Sequence, residues 1–140
     1  MPLVRAEREL IASLDDAWGF VAEPYHLGDW WPGLAAVEPD HRGLAPGARW
    51  HVRYAPRPTL LRPADRTGLL VVGAVEPPHR LRFELLADRL EAEIALAAAA
   101  PDRTIATLTV AGPWFTGLRR SVPRTALWRL HALCQTAATL

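Results

Sequence analysis

The chain predicts an α+β fold: a curved antiparallel sheet of about seven strands wrapped around one long C-terminal helix, with two short helices after the first strand. Three observations carry this. In the last segment, from Pro113 to Leu140, the residues Leu118, Val122, Ala126, Leu130, Leu133, Cys134 and Ala137 recur at spacings of three and four, which sets them on one face of a helix. Most of the chain before it alternates apolar and polar residues, as half-buried antiparallel strands do. Between the first strand and the rest, two helical stretches are marked off by a cap and by prolines. The apolar helix face needs a partner, and the apolar face of the sheet supplies it.

Taken in order, Leu3 to Ile11 is a strand, with Val4, Ala6, Arg8 and Leu10 on one face and Arg5, Glu7 and Glu9 on the other. Ser13 followed by Asp16 resembles a capping box and introduces Leu14, Ala17, Trp18 and Val21 at helical spacing. Pro24 ends that helix, and a second short one carries Tyr25 to Trp30 before Pro32 and Gly33 break it. Leu34 to Glu38 is a short strand. Turn residues cluster from Asp40 to Gly47, after which Trp50, Val52 and Tyr54 alternate with Arg49, His51 and Arg53. Pro56, Pro58 and Pro63 make Ala55 to Asp65 a stiff loop displaying Leu60 and Leu61. Gly68 to Val75 is apolar on both faces, and Glu76 to His79 is a proline turn. Strands follow at Leu81 to Leu85, Leu90 to Leu96 and Thr104 to Ala111. Pro123 falls inside the final helical pattern, where it either kinks the helix near Arg119 or marks a fresh start.

With 140 residues the chain has the size of one domain, 1–140, with no internal repeat. Half its residues are hydrophobic and 22% are charged, which suits a folded chain rather than a disordered one. A net charge of +1 gives no global reason to bind nucleic acid or a membrane surface. The one cysteine, Cys134, allows no internal disulfide and reads as a packed thiol, consistent with a reducing cytoplasm. No apolar run reaches the ~18 residues of a membrane span, and no signal peptide is visible. Lysine and asparagine are absent while arginine, alanine and proline abound, a bias of the kind GC-rich bacterial genomes produce.

Several residues, in this order of elements, resemble a known superfamily. Leu10, Ile11, Ala12 and Ser13 leading to Ala17 and Trp18, then Asp29 to Leu34 with Val37, then Pro46 and Gly47, are similar to START-like, Bet v 1-like proteins of the polyketide cyclase/dehydrase (SRPBCC) branch. The turn from Val75 to Leu81 is similar as well, and the resemblance spans essentially the whole chain. It implies a helix-grip fold with a deep apolar cavity beneath the long helix. It also implies binding or transfer of lipids, sterols, quinones or polyketides, with a minority of members catalysing cyclisation or dehydration. Fold alone does not choose among these.

The inward strand positions Trp50, Val52, Tyr54, Phe83, Leu85, Ile94, Leu108 and Val110, together with Arg8, Trp31, Leu118, Val122 and Leu130, are the expected ligand-binding residues. The five histidines lie apart without metal spacing, so neither metal nor cofactor is expected. Chemistry would rest on single polar groups. Arg8 shares a face with apolar residues and either anchors an anion or snorkels at the sheet edge. Tyr54 either donates its phenolic proton to a ligand or packs with its hydroxyl at the rim. His131 either borders the buried helix face as a general base or faces solvent. Trp30 and Trp31 divide between plugging the sheet end and meeting the cavity, while Trp114, Phe115, Leu60 and Leu61 either form a mouth or fold inward. After Asp102 there is no acid, yet Arg103, Arg119, Arg120, Arg124 and Arg129 follow. An anionic headgroup, an acidic partner, salt bridges to Glu84, Glu91 or Glu93 of the sheet, or plain solvation would offset them.

The leading expectation is a small binding protein for an apolar small molecule, monomeric or homodimeric. The alternatives are a polyketide cyclase, aromatase or dehydratase using Arg8, Tyr54 and His131, and an interaction module whose cavity is filled by side chains.

Overall fold

The computed structural model describes residues 2–55, 66–113 and 120–138. In chain order the elements are β1 (Leu3–Leu10), α1 (Leu14–Ala22), a 3-10 turn (Pro24–His26), α2 (Leu27–Trp30), β2 (Leu34–Glu38), β3 (Arg49–Tyr54), β4 (Thr67–Glu76), β5 (Arg80–Leu85), β6 (Leu90–Ala100), β7 (Arg103–Ala111) and α3 (Ser121–Ala138). The strands form one antiparallel sheet in the order β1-β7-β6-β5-β4-β3-β2. From β2 to β7 each strand pairs with the next, and β1 adds beside β7. The two sheet edges are therefore β1 and β2, and α1 and α2 carry the chain between them. α3 packs against β1, β7, α1 and α2, which defines the inner face of the sheet.

Alternation explains the strands. β3 reads exposed and buried in strict turn, with Trp50, Val52 and Tyr54 inward. Gly73 marks a shift of register in β4: Val72 lies opposite Phe83, but Ala74 lies opposite Arg82. The extra residue exchanges the two faces, so Val75 packs on the core after Leu70 and Val72. β6 runs on through Ala97–Ala100, beyond Leu96 where the sequence pattern ends. Its alanines pair with the start of β7, as in Ala98 opposite Thr104, and a run of one residue type carries no alternation to read.

The helices follow their caps and breakers. Ser13 Oγ accepts the Asp16 N–H at 3.1 Å and starts α1, whose Ala17 and Val21 are buried. The expected single helix from Tyr25 to Trp30 is a 3-10 turn followed by the one turn of α2, and Gly33, with φ of +88°, turns the chain into β2. α3 buries Pro123, Ala126, Leu127, Leu130 and Cys134. The face is rotated from the expected one toward Pro123 and Leu127, leaving Val122 and Leu133 partly buried and Ala137 exposed. Pro113 is not helical. Pro123 instead sits in the first turn of α3, where its missing N–H breaks no helical bond.

Among the described residues no sheet carboxylate pairs with Arg120, Arg124 or Arg129. Glu93 meets Arg80 at 3.1 Å and Arg82 at 3.5 Å. Glu91 and Glu93 alternate with buried Ala92 and Ile94, so they point away from the face that α3 covers. Leu60, Leu61, Trp114, Phe115, Leu118 and Arg119 lie outside the described residues, and among the described helices none is long and apolar enough to cross a membrane.

Candidate functional site

The inner face is lined as the alternation requires, and it is closely packed. Trp31, Trp50, Val52, Phe83, Leu85, Ile94, Leu108, Val110 and Leu130 are each at most 2% exposed. A water-sized sphere finds almost no room beside them, so in this conformation they touch one another rather than a void. Trp31 meets Phe83 edge-on with ring centroids 5.3 Å apart, and Trp30 packs against Trp31 at 6.0 Å. Both tryptophans are thus core. Trp50 donates its indole N–H to the Gly43 carbonyl at 2.8 Å, pinning the turn that precedes β3. At the β1 margin of the inner face Val4, Ala6 and Arg8 are half-buried, and so are Val122, His131 and Leu133 of α3, the helix that packs on β1.

Arg8 is the notable group at that margin. Its strand position places it opposite Ala106, with Ala6 before it, so small neighbours leave space for a guanidinium. Its Nε is buried without a hydrogen-bond partner. A buried donor left unmade costs about 1–3 kcal/mol, more when charged. Around it, Glu7 and Glu9 are exposed on the other face of β1, while β7 and α3 contain no acid. His131 of α3 lies within electrostatic reach: burial first, then the charge of Arg8, hold its pKa below the usual imidazole value. The pair is thus a fixed cation beside a histidine biased toward its neutral form.

A second polar cluster sits at the other side of the sheet. The Tyr54 ring lies over Gly68, where a Cβ would come within 3.2 Å of the ring. The Arg66 guanidinium stacks on that ring at 4.7 Å from its centroid and meets Asp88 at 3.2 Å. The Tyr54 hydroxyl is buried and has no partner at bonding geometry. Burial, reinforced by the nearby Asp88 carboxylate and opposed by Arg66, pushes its pKa up to about 12. Arg66 and Asp88 escaped the sequence reading. They are 22 residues apart, on the approach to β4 and in the turn after β5, and no local pattern joins them.

An open groove of about 410 Å³ lies elsewhere, between α1 and the C-terminal half of α3, walled by Ile11, Asp15, Asp16, Phe20, His26 and Cys134. The Cys134 thiol is pushed up to about 11 by burial and by Asp16, so it is a packed thiol rather than a nucleophile. The described histidines do not converge: His26 contacts Asp29 at 3.2 Å, and His79 contacts the Leu96 carbonyl at 3.1 Å. Among the described residues no group of three His, Cys, Asp or Glu side chains is placed to hold a metal.

The architecture places the chain among proteins with a helix-grip fold. It is similar to a START superfamily protein from Mycobacterium smegmatis, with a TM-score of 0.73 and 12% identity over 96% of this chain and 98% of that one. It is also similar to a point mutant of norcoclaurine synthase from Thalictrum, solved in complex with a transition-state analogue, with a TM-score of 0.68 and 18% identity over 98% and 96%. The di-domain ARO/CYC protein BexL, from the BE-7585A biosynthetic pathway, matches with a TM-score of 0.69 and 15% identity over 99% of this chain and 47% of that one. No family model and no curated protein matches the sequence. The fold is therefore that of START-like, Bet v 1-like and polyketide cyclase proteins, and at such identities the likeness speaks for the fold alone.

Proposed function

We propose that the protein binds a hydrophobic small molecule between the inner face of the sheet and α3, with the oxygen-bearing end of that molecule held at Arg8. The observation that carries this reading is the buried, unpartnered Nε of Arg8 among the apolar inward residues of β1, Val4, Ala6 and Leu10. A ligand oxygen would complete that donor, and an apolar body would lie against Val4, Ala6, Val122 and Leu133. Because the central side chains are closely packed, entry requires α3 or the side chains beneath it to yield. Lipids, quinones and polyketide-like molecules have the required chemistry. The net charge of +1 gives no support to a nucleic-acid partner, and the protein is taken to act as a monomer or homodimer in the cytoplasm. Titration with the neutral apolar fluorophore N-phenylnaphthylamine tests the reading: saturable enhancement at one site per chain is expected, and no enhancement contradicts it.

A second reading has its own observation. A neutral His131 beside a fixed arginine is a base next to a cation that would stabilise an enolate, as a cyclase or dehydratase acting on a polyketide-like ligand requires. It predicts catalysed deuterium exchange next to the carbonyl of an apolar ketone, abolished in His131→Gln.

A further inference from the structure

We propose that the polar end of the bound molecule is an acid, held as its carboxylate against Arg8 with His131 as a second donor, so that the site prefers long-chain carboxylic acids to alcohols of the same length. This rests on the binding reading above and narrows it. The argument is one of charge. A guanidinium stays protonated at any physiological pH, so burying part of it requires an opposite charge or several acceptors. None is supplied by the described residues around Arg8. The other β1 residues of its face are Val4, Ala6 and Leu10, and the facing β7 positions are Thr104, Ala106, Leu108 and Val110. The one buried hydroxyl among these, of Thr104, is already committed as a donor to the Ala12 carbonyl at 2.9 Å. An alcohol or ketone would satisfy the hydrogen bond and leave the charge unmatched, whereas a carboxylate matches both.

The same placement links binding to protons. The one charged group seen to bear on His131 is Arg8 from β1; the inner positions of β7 carry no titratable group, Asp15 and Asp16 of α1 line the groove beside Cys134, and Asp29 of α2 is engaged with His26. Arg129 and Cys134 accompany it on α3 itself. In the free protein Arg8 disfavours the imidazolium. A carboxylate seated on Arg8 cancels that repulsion and favours the imidazolium, so binding takes up a proton and tightens as pH falls from 8 to 6. The acid itself stays ionised over that interval.

Displacement of N-phenylnaphthylamine from the full chain by decanoate and by decanol tests the proposal. Wild type should bind decanoate at least tenfold more tightly than decanol at pH 7. Arg8→Met should reduce decanoate to the level of wild-type decanol, and Arg8→Gln gives the same comparison should the methionine variant not fold. His131→Gln should flatten the pH dependence of decanoate binding while keeping most of the preference for the acid. Equal affinities for acid and alcohol, or undiminished decanoate binding without Arg8, overturn this proposal and leave the binding reading standing. Failure of the fluorophore, decanoate and decanol alike to bind overturns the reading on which it rests.

Discussion

Arg8, His131 and Tyr54 each show how one side chain's surroundings set its chemistry. For His131, burial and Arg8 lower the pKa, so the folded state binds fewer protons than the unfolded one. Its contribution to stability is therefore present above the ordinary value of about 6.5 and is lost as pH falls through the folded value. NMR titration should find its imidazole titrating below about 6.5 and moving upward in Arg8→Met; a value unmoved by that substitution would separate the two residues. Tyr54 runs the other way. Its phenol is held protonated to about pH 12, so the stability it lends is present below about 10 and lost as pH rises toward 12. Its hydroxyl has no bonded partner, so Tyr54→Phe should leave stability within about 1 kcal/mol of wild type or raise it, as chemical denaturation would measure. A loss of about 2 kcal/mol would mean that the hydroxyl is bonded, with Asp88 the evident acceptor. That Arg8 faces inward was legible from its parity with Val4, Ala6 and Leu10. Its lack of a partner was not, because that depends on what β7 and α3 fail to bring to it.

Among the elements, those whose hydropathy alternates could be read directly, and those governed by backbone geometry could not. β3 and β5 occupy the residues their alternation marks, while the extension of β6 through Ala97–Ala100 is hidden by a uniform run of alanine. The exchange of faces at Gly73 is a bulge, which apolar residues on both sides of the strand conceal. α3 is rotated from the face its apolar spacing marks, with Pro123 and Leu127 among its buried residues. A tight approach after β7 gives a test at this scale. A Cβ on Gly112 would fall 2.5 Å from Leu90 Cδ2 and 3.0 Å from the Arg89 carbonyl oxygen. Gly112→Ala should destabilise the protein by about 1–3 kcal/mol in thermal or chemical unfolding. An unchanged stability would show that the turn after β5 shifts freely.

For the molecule as a whole, the sheet order and the helix across it follow from a simple requirement: one apolar sheet face and one apolar helix face must cover each other. That much the sequence carried, with the inward residues of the strands whose hydropathy alternates. It did not carry the volume beneath α3, because parity tells which way a side chain points and says nothing about how closely its neighbours approach. The described inner face is closely packed at its centre and half-open along β1, which puts the proposed binding event at the Arg8 margin and makes it depend on α3 yielding. Native mass spectrometry of the freshly purified protein, before and after incubation with a total lipid extract, tests that account most directly. It predicts one apolar molecule per chain, released on denaturation and recovered by solvent extraction. A bare chain mass under both conditions would contradict it and leave a packed core with no ligand to serve.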